Sequence, residues 1–209
     1  MSGMLEIKCF EFGPFQTNTY VVSDREGNVL LVDPACYSQY EQQILYKYIE
    51  NLRLETGHWK LQIVATHGHL DHLWGAPWAC EQWHTEVLMP EADIPMAEAM
   101  QEQYDLFGVR ATAKPFPMKE LGFRGLEFRG LEVIETPGHT PGSICLYWPE
   151  EKILLSGDTL FCMGYGRTDL PGGDMGQLFH SLGQLFALPE DVRVYPGHGE
   201  DTTIGAEKR

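Results

Sequence analysis

The stretch Leu61-Gln-Ile-Val-Ala-Thr66-His67-Gly-His69-Leu-Asp71-His72-Leu-Trp74-Gly75 is an apolar run that ends in three imidazoles and a carboxylate within six positions. Leu61, Ile63 and Val64 read as a buried strand. A strand that stops and hands His67, His69, Asp71 and His72 to a loop gathers four hard-to-bury groups at one sheet edge. Each such group left unsatisfied costs about 1–3 kcal/mol. A divalent metal removes the cost, because neutral imidazole and carboxylate are ligands that Zn²⁺ takes.

Other strands end in the same kind of residue. Val29 to Val32 is fully apolar and stops at Asp33-Pro34, where proline bars continuation and Asp33 faces whatever lies beyond the edge. Leu131 to Glu135 leads into Thr136-Pro-Gly-His139-Thr-Pro-Gly142, and Ile144 to Tyr147 forms the next strand. Ile153 to Leu155 ends in Ser156-Gly-Asp158, and Val192 to Tyr195 ends in Pro196-Gly-His198-Gly199. With Asp33 set aside, seven metal-type side chains come from four separate strand ends, and His139, Asp158 and His198 each follow a glycine that permits a sharp turn. The motifs hold five of the eight histidines; His58, His84 and His180 lie outside them. Seven ligands exceed what one tetrahedral ion uses, whereas two ions sharing one carboxylate use them all. Two ions about 3.5–4 Å apart can hold a bridging hydroxide as a ready nucleophile.

Composition bounds the rest. The chain has 209 residues, the length of one large domain, and 43% hydrophobic residues, enough for a sizeable core. Its net charge of −15 argues against a nucleic-acid surface. No run of 18 apolar residues spans a membrane, and no positive segment followed by an apolar one marks export at the N-terminus. Five scattered cysteines suit reduced thiols in the cytoplasm. Cys162, close to Asp158, is either a reactive thiol or, beside Leu160, Phe161 and Met163, inert packing.

Between the motifs, Leu5 to Phe10 and Thr19 to Val22 read as strands around a Gly13-Pro14 break. Ser38-Gln-Tyr-Glu41 is a capping box that opens a helix with Ile44, Tyr48 and Leu52 along one face. Trp74 and Trp78 fall on a short helix, Trp74 as core packing or pocket wall, and Val87 to Met89 is a short strand. Glu91 to Phe107 reads as one helix closed by Gly108. The helix from Asp174 sets Met175, Leu178, Phe179, Leu182, Leu185 and Phe186 on one stripe, with His180 off it. Lys114 to Gly130 shows no readable period.

The motif His67-x-His69-x-Asp71-His72, followed by His139, Asp158 and His198, resembles the metallo-β-lactamase superfamily over nearly the whole chain. That resemblance implies an α/β protein of residues 1–209, an αββα sandwich of two mixed sheets flanked by helices. It implies one ion on His67, His69 and His139, another on Asp71, His72 and His198, and Asp158 between them. Asp71 and Asp158 are then the carboxylates of the catalytic centre, and Asp33 supports the metal loop unless it is a simple cap. The expected cofactors are two divalent ions, Zn²⁺ first, with Fe or Mn as alternatives.

Within the superfamily, Asp158 where zinc β-lactamases often carry cysteine, together with the missing export signal, argues against antibiotic hydrolysis. The segments around His139, Asp158 and His198 resemble glyoxalase II-like hydrolases, which implies a small-molecule acyl thioester cleaved by a metal-bridging hydroxide. Arg167 falls where those enzymes bind a substrate carboxylate; its alternative is an ion pair with Asp169 or Asp174. The chain stops eleven residues after His198, as in short forms without the helical C-terminal domain, which leaves the thiol carrier open. The second reading is a persulfide dioxygenase with one Fe(II) on His67, His139 and Asp158, since Gly166 to Asp169 resembles that branch too. Nuclease and lactonase members share the ligand set, and an inactive scaffold would be expected to lack a ligand.

Overall fold

A strand covered on both faces has no polar side, and this chain contains several. The computed structural model describes residues 5–56, 59–122 and 126–208, so His58 and part of the 114–130 stretch lie outside the described residues. The first sheet begins with β1 (Glu6–Phe12), β2 (Thr17–Ser23) and β3 (Asn28–Val32), antiparallel in succession. Helix α1 (Gln39–Thr56) carries the chain across to β4 (Lys60–Val64), which runs parallel to β3. Helices α2 (Leu70–Leu73) and α3 (Ala76–Trp83) lead to β5 (Val87–Met89), and α4 (Ile94–Glu98) and α5 (Met100–Leu106) to β6 (Met118–Glu120), again in parallel.

The second sheet pairs β7 (Glu132–Glu135), β8 (Ile144–Trp148) and β9 (Ile153–Gly157) antiparallel. A small hairpin, β10 (Leu160–Phe161) and β11 (Gly164–Tyr165), precedes α6 (Met175–Leu185). Strand β12 (Arg193–Pro196) returns parallel to β9, and β13 (Thr202–Thr203) and α7 (Ile204–Glu207) finish the sheet's edge.

Alternate side chains sort into three apolar layers. Val21, Leu31 and Ile63 face Leu45 and Ile49 of α1. Their neighbours Tyr20, Val22, Leu30, Val32 and Val64 face the other way, against Ile144, Leu146 and Trp148 of β8. Cys145 and Tyr147 then point outward to Leu178, Leu182 and Leu185 of α6. Two mixed sheets lie face to face with helices on both outer sides, the αββα order expected from the sequence. Fully buried Leu or Ile side chains stabilise such layers by about 1.5–3 kcal/mol each, which is why these strands read as continuous apolar runs.

Several expectations need correction. On α1 the stripe centres on buried Leu45 and Ile49, with Ile44, Tyr48 and Leu52 half-buried on its flanks. The single helix from Glu91 is a 3₁₀ turn, Glu91–Asp93, followed by α4 and α5, broken at Ala99, where φ is −83° and ψ 27°. The Met96 carbonyl near this break is taken by the Gln103 side-chain amide at 2.9 Å. Gly108 does follow the last helix with a left-handed φ of 67°. On α6 the buried stripe is narrower than the pattern, because Met175 is 44% and Phe179 54% exposed. The ring of Phe179 instead meets Tyr165 of the hairpin edge-on. Cys162 is exposed at the hairpin rather than packed, and all five cysteines are free. Among the described residues no helix is long and apolar enough to cross a membrane.

Candidate metal centre

Parallel strands that all stop on one side place their following loops together, and here the loops after β4, β7, β9 and β12 meet where the two sheets face each other. The sheets are pinned at that end by an isolated bridge between Thr17 and His198. Asn18 reinforces the pin. Its amide donates to the carbonyls of Pro196 (3.0 Å) and Gly199 (2.9 Å), and its backbone N–H to Gly197 (2.7 Å).

Three overlapping groups of ligand-type atoms result, each within 4.8 Å: His67–His69–His139, His67–His72–Asp158 and Asp71–His72–His198. His69 Nδ1 lies 2.9 Å from His139 Nε2, and His72 Nε2 lies 3.3 Å from His198 Nε2. Asp158 spans the groups: Oδ1 is 3.3 Å from His72 Nε2, and Oδ2 is 3.5 Å from His139 and 3.4 Å from His198. Asp71 Oδ2 stands 3.2 Å from His198 Nε2 and accepts a 2.8 Å bond from the Thr17 hydroxyl. Tetrahedral ligands about 2.0–2.1 Å from Zn²⁺ sit roughly 3.3 Å from one another, the spacing seen here.

The outer nitrogens fix which face of each ring looks inward. A carbonyl only accepts, so His139 Nδ1 donates to Arg167 O (2.7 Å) and His198 Nδ1 to Phe15 O (3.1 Å). His72 Nδ1 donates to Asp33 Oδ2 at 3.0 Å. His67 Nδ1 donates to Thr66 Oγ1 (3.0 Å), whose own hydroxyl proton goes to Asp33 Oδ2 (2.7 Å). The Nε2 lone pairs of these four rings are therefore turned into the centre. His67 Nε2 and Asp158 Oδ1 are buried and make no hydrogen bond, a cost that a cation between them removes. The donor set fits two divalent ions.

The charges agree. Burial, then His72, pushes the His67 imidazole well below its ordinary pKa, and burial with His139 takes His69 down to about 4. Against the upward push of burial, His72 and His198 hold Asp158 well below the usual carboxylate range and Asp71 at about 2. Burial would lower His72 and His198, but Asp158 and its neighbouring carboxylates carry His72 well above the ordinary value and His198 to about 9. The carboxylates thus call for positive charge at those nitrogens, which a proton or a divalent cation can supply.

The sequence did not point to several supporting residues. Asp93, fully buried after β5, accepts from Gly68 N (2.8 Å), Thr140 Oγ1 (2.7 Å) and Gly142 N (2.6 Å), and so ties the His67 loop to the His139 loop. Thr17, Asn18 and the Thr66 hydroxyl were also missed; the one sign was a polar run, Thr17-Asn-Thr19, opening a strand. Asp33 sits behind the loop and accepts from Thr66 N as well, at 2.7 Å. Arg167 forks onto Asp169 with bonds of 2.6 and 2.7 Å, while Asp174 caps α6 through Gln177 N. Trp74 is half-buried between Phe15 and Tyr37. His84 closes α3 in a left-handed conformation and His180 is exposed.

Comparison with known proteins agrees with this architecture. Residues 12–198 match the family model described as the metallo-β-lactamase superfamily. The hydroxyacylglutathione hydrolase GloC of Haemophilus influenzae is 34% identical, the match covering 98% of this chain and 96% of that one. A solved structure of TTHA1623 in a di-iron-bound form aligns with a TM-score of 0.82 at 36% identity, over 97% of each chain. BLEG-1, described as a B3 metallo-β-lactamase, aligns at 0.80 and 32% identity, over 97% and 96% of the chains. ETHE1 from Myxococcus xanthus aligns at 0.69 and 26%, covering 98% of this chain and 82% of that one. Matched from the end of β1 to the last histidine of the cluster, and sharing the fold along its length, this chain belongs to the metallo-β-lactamase superfamily.

Proposed function

We propose that the protein is a binuclear metallo-hydrolase that cleaves S-acyl thioesters. One observation carries the two-ion reading: Asp71, His72 and His198 form a ligand group of their own beside His67, His69 and His139, with Asp158 turned to both. The 34% identity to a hydroxyacylglutathione hydrolase supports the thioester class. The imidazole and carboxylate donors favour Zn²⁺, and the di-iron relative makes iron the other candidate. The free cysteines support a cytoplasmic setting.

Two ions on these ligands would lower the pKa of a bound water and polarise the substrate carbonyl. Water adds to the thioester carbon, the C–S bond breaks, and the thiolate leaves with one of the water's protons. His67, His72, His139 and His198 keep their Nδ1 protons on fixed acceptors, so the Nε2 lone pairs stay aimed inward through the reaction. Asp158 and Asp71 remain ionised and hold the charge of the centre constant.

The test is elemental analysis of the purified protein beside assays on acyl-glutathione and acyl-coenzyme A thioesters, with a β-lactam as competing substrate. About two ions per chain with thiol release supports the proposal, and turnover confined to the β-lactam overturns it. A mononuclear iron dioxygenase acting on persulfides, held by His67, His139 and Asp158, is the second reading, drawn from the likeness to ETHE1. It leaves His69, Asp71, His72 and His198 without a metal to hold. One iron per chain with oxygen uptake on glutathione persulfide would establish it instead.

A further inference from the structure

A groove of about 500 Å³ opens beside His69, between α4, α5 and the 170–172 segment. Its walls are Met96, Ala99, Leu106, Phe107, Leu170 and Pro171. Among the described residues no lysine or arginine lines it, and the charged residue there is a carboxylate, Glu102. On a chain of net charge −15, Leu106 is 61% and Phe107 36% exposed there, apolar surface kept at the edge of a polar centre. The walls are held in place. Gln103 accepts from Leu70 N and donates to Gly68 O, each at 3.0 Å, fixing α5 to the histidine loop. Phe107 meets Phe15 edge-on at 5.8 Å, and the Phe15 carbonyl in turn holds His198.

Resting on the thioester reading above, we propose that this groove takes the acyl chain of the substrate, and that the enzyme prefers apolar acyl groups of several carbons to short or hydroxylated ones. The chemistry of the walls decides which end of a thioester enters. Glutathione carries carboxylates and coenzyme A carries phosphates; a groove with no cation and one carboxylate disfavours both. Arg167, three residues before Leu170, is committed to Asp169 by two bonds, and Arg110, three residues past Phe107, is exposed and outside the lining. The thiol carrier therefore points away to solvent, and the carbonyl carbon sits over His69 at the groove's inner end. An apolar lining offers a hydroxyacyl group no partner for its hydroxyl, so that group loses what a methylene gains.

The experiment uses the metal-loaded full chain and one uncharged thiol, N-acetylcysteamine, acylated with acetyl, butyryl, hexanoyl, phenylacetyl and lactoyl groups. The expected kcat/KM rises about three- to fourfold per added methylene from acetyl to hexanoyl, and lactoyl falls below butyryl. Met96→Ala and Leu106→Ala should each cut the hexanoyl-to-acetyl ratio several-fold. Ala99→Trp, which fills the groove instead of emptying it, should cut the ratio further. A flat or falling dependence on chain length, or lactoyl as the best substrate, overturns the groove assignment while leaving thioester hydrolysis intact. No turnover of any thioester overturns the hydrolase reading and this proposal with it.

Discussion

Asp33 shows what one residue contributes here. Its φ of 51° is left-handed, a conformation that costs a non-glycine residue about 1–3 kcal/mol unless its surroundings hold it there. The surroundings do: its carboxylate accepts from Thr66 N, Thr66 Oγ1 and His72 Nδ1. One buried group thus orients His72 directly and His67 through a hydroxyl. Asp33→Asn keeps the shape and removes the charge, and metal affinity should fall roughly 10–100-fold in a competitive chelator titration. An unchanged affinity would leave Asp33 a mere turn residue. Gly197 works by being small, since a Cβ there would overlap Asp158 Oδ1 and lie 2.8 Å from His72 Cε1. Gly197→Ala should therefore lose bound metal with little loss of secondary structure, as read by elemental analysis beside circular dichroism. Full occupancy in that variant would mean that the His198 loop is free to move.

At the scale of elements, the start of α1 and the residue after β5 do the joining. The capping box forms as the sequence implies: Ser38 Oγ accepts from Glu41 N at 3.3 Å and Glu41 accepts from Ser38 N at 2.7 Å. Glu41 reaches further, accepting from Gly13 N and Tyr37 N, so it also fastens the β1–β2 turn to the helix. Burial works to raise its pKa, and those backbone donors outweigh it, so the folded value lies below the ordinary one. A lowered folded pKa means that the stabilisation is complete above the unfolded value, near 4.3, and fades as pH falls through the folded value. Glu41→Gln should accordingly be somewhat less stable near neutrality, by an amount that solvent screening of this partly exposed carboxylate keeps small, with the gap closing below about pH 4. A gap of the same size at every pH would place the effect in packing rather than charge. Asp93 ties two ligand loops. Asp93→Ala strands Gly68 N and Gly142 N, each buried group costing about 1–3 kcal/mol, while the Thr140 hydroxyl keeps Ser143 Oγ as its partner. Urea unfolding should show a loss of several kcal/mol, and Asp93→Asn a smaller one. A loss below about 1 kcal/mol in the alanine variant would show that the loops hold without it.

At the scale of the whole molecule, the metal centre lies where the two sheets meet, and ligands from both sheets close it. An ion that binds only the folded arrangement stabilises it by mass action. Chelation should lower the melting temperature, and added Zn²⁺ should restore it. Amide exchange should quicken at Thr17–Asn18 and 197–199, the segments that pin the sheets, while β8, buried on both faces, stays protected. A melting temperature indifferent to chelation would separate the centre from the fold.

Much of this was legible in the residues themselves. Apolar runs covered on both sides announce buried strands, and Pro or Gly after them announces the turns, so each metal-type residue could be placed at a strand end. The local hydrogen-bond grammar of Ser38 and Glu41 is equally plain, because both partners sit within one helical turn. Legibility failed where a partner lies far along the chain. The break at Ala99 and the role of Asp93 follow from loops that pack from elsewhere, and β6 is a strand through pairing with β5, with no period of its own. The sequence alone determined the inventory, seven ligand-type groups that follow strands, most of them apolar, with the largely exposed β7 before His139 the exception. Tertiary structure decided that they converge, since Asn18 holds Pro196 across 178 residues and Asp33 serves histidines from a different strand. Periodicity records which faces are buried, but only the packing of one sheet on the other brings lone pairs from both to a common point.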